Sequence, residues 1–322
     1  MISSLEAVLV TERWVALLLA CLLDLAAGDP SNRWHPVAWM GGFIHWAEGK
    51  CSTRNRFGQF MHGFFLISLG GTLFSLPWIL ASEWIRALPF GIEAVVIALL
   101  FKPTFALRRL IEASREIRCA LKRADLVEAR RLVGWHLVSR DTAALSEGQV
   151  ASATVESLAE NITDSLLAPV FYFAFLGLPG AWLYRFINTA DAMIGYRTQR
   201  YEYLGKCAAR LDDLLNWLPA RLGALALVLA AGIYRLNTGE ARRVMIKEHS
   251  LTSSPNAGWT MAAAAGALGV RLEKSGCYCL NACRSLPEME DIRRTERLVS
   301  LAALIGVIGI GGLSFGFAAF YK

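Results

Sequence analysis

Three carboxylates recur at every fourth residue in the stretch ESLAENITDSLLAP, residues 156–169: Glu156, Glu160 and Asp164. On an α-helix that spacing sets them along one stripe, where like charges oppose one another by about 0.2–0.5 kcal/mol per pair. No Lys or Arg stands between Arg140 and Arg185 to offset them. Two readings are open. The stripe is the wet side of an amphipathic helix whose other face carries Val155, Leu158, Ala159, Ile162 and Leu166, or it faces a group that the chain does not supply.

Three further polar clusters have the residue types for binding or catalysis. In RFINTADAMIGYRTQRYEYLGKCAARLDDLLNW, polar groups arrive at helical spacing: Asn188 with Asp191, Arg197 with Arg200, and Asp212 and Asp213 with Asn216. In LAAGDPSNRWHPVAWMGG, Asp29 and His35 lie in a turn punctuated by Pro and Gly. In HSLTSSPNAGWTMAAAAGALG, Ser253, Ser254 and Asn256 precede a small-residue helix. Hydroxyls, an amide and free backbone N–H groups at a helix N-terminus suit an anion, and Ser and Asn are also ordinary N-caps.

These clusters are set in an apolar chain. Of its 322 residues 55% are hydrophobic and 19% charged, with mean hydropathy +0.39; soluble domains carry roughly 25% charged residues. Spans are expected at 60–82, 88–105, 218–236 and 298–320, each near the length a bilayer requires. The first apolar run, WVALLLACLLDLAAGDP, lacks a basic leader and a small-residue cleavage site and contains Asp24, so it is read as a retained membrane helix. Ionisable groups beside or within such segments are functional-site candidates.

The elements that position the clusters read as helices throughout, because Leu- and Ala-rich segments with helical spacing dominate and period-two alternation is absent. Ser146 followed by Gln149 has capping-box spacing and starts the acidic helix. The segment 166–180, short and interrupted by Gly-Leu-Pro-Gly, is expected to be re-entrant rather than spanning. A full crossing there would place Asn188 and Asp191 on the opposite side from the acidic helix. The stretch from Arg108 to Arg140 is basic and amphipathic, which assigns it to the cytoplasmic side. Its alternating charges and few aromatics exclude nucleic acid. Cys277, Cys279 and Cys283 cluster without a second pair at metal-ligand spacing and are read as reduced thiols. The expected architecture is therefore all-α: one polytopic membrane domain over 1–322, with re-entrant or broken segments and a cytoplasmic helical insertion at 106–165.

Five ordered blocks carry a resemblance: LDLAAGDPSNRWHPV, RDTAALSEGQV, VESLAENITDSLLAPVFY, NTADAMIGYRTQRYEYLGKCAARLDDLLNWLPARL and SPNAGWTMAAAAGALGVRL. In order and extent they resemble the CbiB/CobD family of cobalamin biosynthesis, the integral-membrane adenosylcobinamide-phosphate synthases. The chain departs from that pattern where members commonly have Arg after His-Pro-Val and this chain has Ala38. It departs again at Ser165 after Asp164, and at EKSGCYCLN, where Tyr278 alone matches a Gly-Gly-Pro-Asn-Tyr-Tyr loop.

The resemblance implies ATP- and Mg²⁺-dependent amide formation between a propionate of adenosylcobyric acid and (R)-1-aminopropan-2-ol or its O-phosphate. Catalytic candidates are then Glu156, Glu160, Asn161, Asp164, Asn188 and Asp191, with Glu160, Asp164 and Asp191 toward the metal. Asp29, His35, Arg140, Asp141, Arg197, Arg200, Tyr201, Arg210, Asp212, Asp213, Ser254 and Asn256 are candidates for substrate and nucleotide; Lys206 is a further phosphate donor. The implied partners are the corrinoid, the amino alcohol and the bilayer, with room for a homo-oligomer or a complex with other membrane enzymes of the corrinoid pathway. The implied setting is the plasma membrane, with the site toward the cytoplasm. A transporter and a non-catalytic membrane regulator are the competing classes; the former usually shows paired helix interruptions in two halves, and no second copy is present.

Overall fold

The computed structural model describes residues 2–29, 32–53 and 55–320. Among these described residues thirteen α-helices follow one another: α1 Ile2–Ala27, α2 Pro36–Gly49, α3 Arg56–Arg86, α4 Phe90–Phe101, α5 Leu107–Lys122, α6 Leu126–His136, α7 Glu147–Ile162, α8 Ala168–Ile194, α9 Lys206–Leu215, α10 Trp217–Ile233, α11 Thr238–Glu248, α12 Ala257–Leu268 and α13 Met289–Phe320. The all-α expectation holds, with one addition. A short antiparallel hairpin, β1 Leu272–Lys274 and β2 Tyr278–Leu280, pairs Leu272 with Leu280 and Lys274 with Tyr278. Three-residue strands are too short to show period-two alternation, which is why the pattern reading passes over them.

Among the described residues three helical runs are long and apolar enough to cross a membrane: Arg56–Arg86, Glu147–Ile194 and Met289–Phe317. Two bent pairs, Phe90–Thr104 with Leu107–Lys122 and Lys206–Leu215 with Trp217–Ile233, raise the number to five if each is one span. These fit a membrane protein with broken helices. α1 is not among them; Glu12, Arg13 and Asp24 interrupt its apolar run.

The chain divides into two compact units. One gathers α1–α4, α8, α9 and the end of α13 from Gly309; the other gathers α5–α7, α10–α12, the hairpin and the rest of α13. The stretch 106–165, expected as an insertion, thus packs almost whole with residues 216–308. In the first unit α3 lies against α8 so closely that a Cβ on Gly70 would collide with the Phe186 ring, which stacks on Phe74 at 5.4 Å. In the second, Gly266 lets α12 reach the backbone of α11, where a Cβ would collide with the Glu240 carbonyl. Small residues at such crossings substitute backbone packing for side-chain bulk, as is common where lipid supplies no hydrophobic drive.

The segment 166–180 is not a separate element. α7 passes at Thr163–Leu167 into a turn of π-helix, α8 follows directly, and the break falls at Gly177, whose φ of 68° and ψ of −157° interrupt α8. Pro169, which has no N–H to give the helix, lies two residues past the π turn.

Candidate functional site

The capping box that opens α7 forms as expected: the Ser146 hydroxyl accepts from the Gln149 N–H, and the Gln149 side chain accepts from the Ser146 N–H. Beyond its first turn α7 is not amphipathic. Every residue from Val150 to Ala159 is buried, Glu156 included. Of the expected wet acidic face Glu156 is thus withdrawn, because the hairpin, α5, α6 and α12 pack around α7 within the same unit, while Glu160 and Asp164 stay half-exposed.

Glu156 is held on all sides. Its carboxylate accepts from the Tyr278 hydroxyl at 2.6 Å and the Ser152 hydroxyl at 2.8 Å, with an Arg140 guanidinium nitrogen at 3.8 Å. Ser152 in turn accepts from the Glu273 N–H at 3.0 Å, which ties α7 to the hairpin. Burial and the Glu156 carboxylate push the Tyr278 hydroxyl above its usual range, so it remains a donor.

One turn further, the Glu160 carboxylate makes no hydrogen bond and no ion pair with any described residue. Its electrostatic neighbours are Glu156, which repels it, and Lys274, which attracts it. Asn161 is turned away and donates to the Ser157 carbonyl at 2.9 Å. Asp164 does not continue the stripe at regular spacing, because it sits in the π turn, where one extra residue shifts the angular position of every later residue. In that turn the buried Thr163 hydroxyl has no hydrogen-bond partner among the described residues.

The α12 end of this unit separates the two residues expected to cap it. Ser254 is the cap: its hydroxyl accepts from the N–H groups of Asn256 and Ala257 at 3.2 and 3.3 Å. Asn256 makes no side-chain cap; its Oδ1 accepts from Arg221 at 3.3 Å. Pro255 precedes the helix instead of entering its first turn. The Arg221 guanidinium lies over the Trp217 and Trp259 rings, at 4.3 and 4.9 Å from their centroids, and Trp259 stacks on His249 at 3.9 Å. Asp141 is spent locally, accepting from the Ala143 N–H at 2.9 Å.

In the other unit Asn188 donates to Asp212 at 3.2 Å, and Asp191 lies within electrostatic reach of Asp212 and Asp213. These expected residues do come together. Arg197 and Arg200 do not share a helix face, since α8 ends at Ile194 and both occupy the loop before α9. Gly195 and Gly205 fold that loop tightly: a Cβ on Gly205 would clash with the Ile194 carbonyl. Arg200 pairs with Glu48 at 3.3 Å and covers the Tyr201 ring, while Arg197 and Arg210 are exposed and act on Asp213 through space.

His35 caps α2 by accepting from the Val37 N–H, and its other ring nitrogen stands 3.7 Å from Asp29. Asp29 also takes the Lys102 ammonium at 2.6 Å. Burial opposes its ionisation, but hydrogen bonds from His35 and Lys102 outweigh that and hold it down at about 2. Lys102, itself buried, reaches the buried Asp24 as well, at 2.9 Å. Among the described residues no group of three or more His, Cys, Asp or Glu is arranged to hold a metal ion, and all seven cysteines are free.

Comparison with known proteins decides the family. The family model described as CobD/Cbib protein matches residues 17–305. The chain belongs to the CobD/CbiB family. It is 43% identical over 263 residues to the cobalamin biosynthesis protein CobD of Dehalococcoides mccartyi, covering 82% of this chain and 85% of that one. It is 40% identical over 298 residues to the probable cobalamin biosynthesis protein CobD of Methanothermobacter thermautotrophicus, covering 92% and 96%. The corresponding protein of Pyrococcus furiosus is 38% identical over 304 residues, covering 91% and 98%. No solved structure matches.

For a CobD/CbiB chain, the residues that sequence reasoning passed over are those joined by tertiary contact: Ser152 and Lys274 beside Glu156 and Glu160, Arg221 beside Asn256, and Lys102 between Asp24 and Asp29. Only Lys102 left a signal, as a lone cation in the apolar run ALLFKPTF.

Proposed function

We propose that this protein is an ATP-dependent amide ligase of cobalamin biosynthesis, joining (R)-1-aminopropan-2-ol or its O-phosphate to a propionate of adenosylcobyric acid. The observation that carries the reading is Glu160: a carboxylate without a protein partner, one turn from a carboxylate that is fully engaged, with Arg140 and Lys274 at hand. Such a group is suited to a ligand that brings its own positive charge.

The donors fit Mg²⁺. Carboxylate oxygens are the hard ligands it takes, usually one or two from protein with phosphate and water oxygens completing the shell. Glu160, with Asp164 in the adjoining π turn, would hold it, and when bound it would neutralise phosphate charge. Arg140 and Lys274 are the cations for phosphate oxygens. Glu156 orients Arg140, while Tyr278, kept protonated, fixes Glu156.

A carboxylate is a poor acylating agent, so the propionate oxygen first attacks the terminal phosphorus of ATP, releasing ADP and leaving an acyl phosphate. The amine then attacks the acyl carbon, the C–O bond to phosphate breaks, and the ammonium proton is lost as the amide forms. Positioning and charge neutralisation are the main contributions the protein makes to such steps. The reading places the protein in the plasma membrane with this site toward the cytoplasm, where the basic α5 and α6 belong by charge.

The test is purified protein with adenosylcobyric acid, Mg-ATP and each amine in turn, followed by mass spectrometry. The amide product with one amine, together with ADP, is expected. Folded protein that yields product with neither amine overturns the proposal.

A further inference from the structure

A cavity of about 250 Å³ in the first unit shares no residue with the ligase site. It is lined by Glu12 and Arg13 of α1, Trp78 and Arg86 of α3, Glu93 of α4, and α8 where Gly177 breaks it. Two acids and two guanidinium groups thus share one small space. None of the four forms an ion pair with another, and the carboxylate of Glu93, a residue 4% exposed, has no hydrogen-bond or ion-pair partner among the described residues. The Trp78 indole N–H is also buried without a partner among them. Arg13 alone is anchored, donating to the carbonyls of Ala174 and Phe175 beside the break.

A buried acid, a half-buried acid and guanidinium, and an exposed guanidinium that stand near but do not close on each other leave room for a ligand carrying both complements. A buried carboxylate calls for a cation with N–H donors, and guanidinium groups with an indole N–H call for a phosphate. Arg86 ends α3 and Glu93 lies in the first turn of α4, so the cavity sits at the end of a candidate span, the level at which headgroups lie. At its edge Ile79 and Leu176 are exposed and apolar, a surface for acyl chains.

We propose that this cavity binds the headgroup of a zwitterionic aminophospholipid, its primary ammonium on Glu93 and Glu12 and its phosphate on Arg86 and Trp78. A quaternary ammonium has no N–H to give Glu93, and a glycerol headgroup has no cation, so both should bind less well.

Full-length protein, delipidated in detergent, is offered phosphatidylethanolamine, phosphatidylcholine or phosphatidylglycerol and examined by native mass spectrometry. Retention of phosphatidylethanolamine about tenfold above the others is expected, from one charge-assisted hydrogen bond. Glu93→Gln should abolish that preference, and Arg86→Gln should weaken retention of all three. Trp78→Phe, which removes only the N–H, should lower phosphatidylethanolamine retention even if the charge variants fail to fold. Equal retention of the three lipids, an undiminished preference in Glu93→Gln, or undiminished retention in Trp78→Phe overturns the proposal. Free phosphoethanolamine that raises the melting midpoint as much as the lipid does would assign the cavity to a soluble ligand and overturn the lipid assignment.

Discussion

Lys102 is buried and Glu160 half-buried, and the chain treats the two charges in opposite ways. Lys102 is clasped by Asp24 and Asp29, and Asp29 is braced by His35. The Glu160 carboxylate has a like charge one turn away and no hydrogen bond or ion pair among the described residues. A buried ion whose partners are all supplied by the chain is part of the frame; a half-buried carboxylate with no such partner is open to a ligand. The same contrast runs within α7, where Glu156 is saturated and Glu160 is not.

The sharpest way to break the comparison is at Lys102. Lys102→Met keeps the length of the stem but strands Asp24, 2% exposed, without its cation. Removing one member of a buried pair typically costs about 3–5 kcal/mol, so the midpoint of chemical unfolding in detergent should fall by that equivalent. A loss below about 1 kcal/mol, the scale of an exposed pair, would show that water reaches Asp24 and that the network is not a frame.

Glu160→Gln should behave in the reverse sense. It removes a charge that the folded chain leaves uncompensated, so stability should hold or rise slightly, whereas ligase turnover should fall by about 10²–10³, the usual loss for one electrostatic stabiliser. Turnover and Mg²⁺ dependence both as in the parent would take the cation away from Glu160. A parallel fall in stability would make Glu160 a structural residue like Glu156.

How much of this could be read from the chain depends on the same distinction. The helices, the capping box at Ser146 and the one-turn spacing of Asn188 and Asp191 depend on local pattern, which sequence displays, whereas the bond from Asn188 to Asp212 crosses 24 positions between two helices. The π turn does not, because one additional residue per turn leaves no mark on a hydrophobic pattern, and it moved Asp164 off the stripe. The burial of Glu156 was illegible for another reason: its partners Tyr278 and Arg140 lie 122 and 16 positions away, on a hairpin and a loop that meet it only in the folded unit. Arg197 and Arg200 misled because a helical spacing persisted in letters through a loop that two glycines had already folded.

The smallest effect is expected at the start of α12, and it separates two residues that look equivalent on paper. Ser254 satisfies two N–H groups at the start of the helix, so Ser254→Ala should lower stability by about 1 kcal/mol, and Ser254→Thr should restore most of it. Asn256 holds Arg221 instead. Asn256→Ala should leave the cap intact and free a guanidinium already stacked on Trp217 and Trp259. If that end of the helix also grips a phosphate, the KM of one phosphate-bearing substrate should rise in Ser254→Ala, and in Asn256→Ala it should rise with little change in melting temperature. Should both variants leave every KM at the parent value, this end of the unit is frame like Lys102, and Arg140 with Lys274 must carry the phosphates alone.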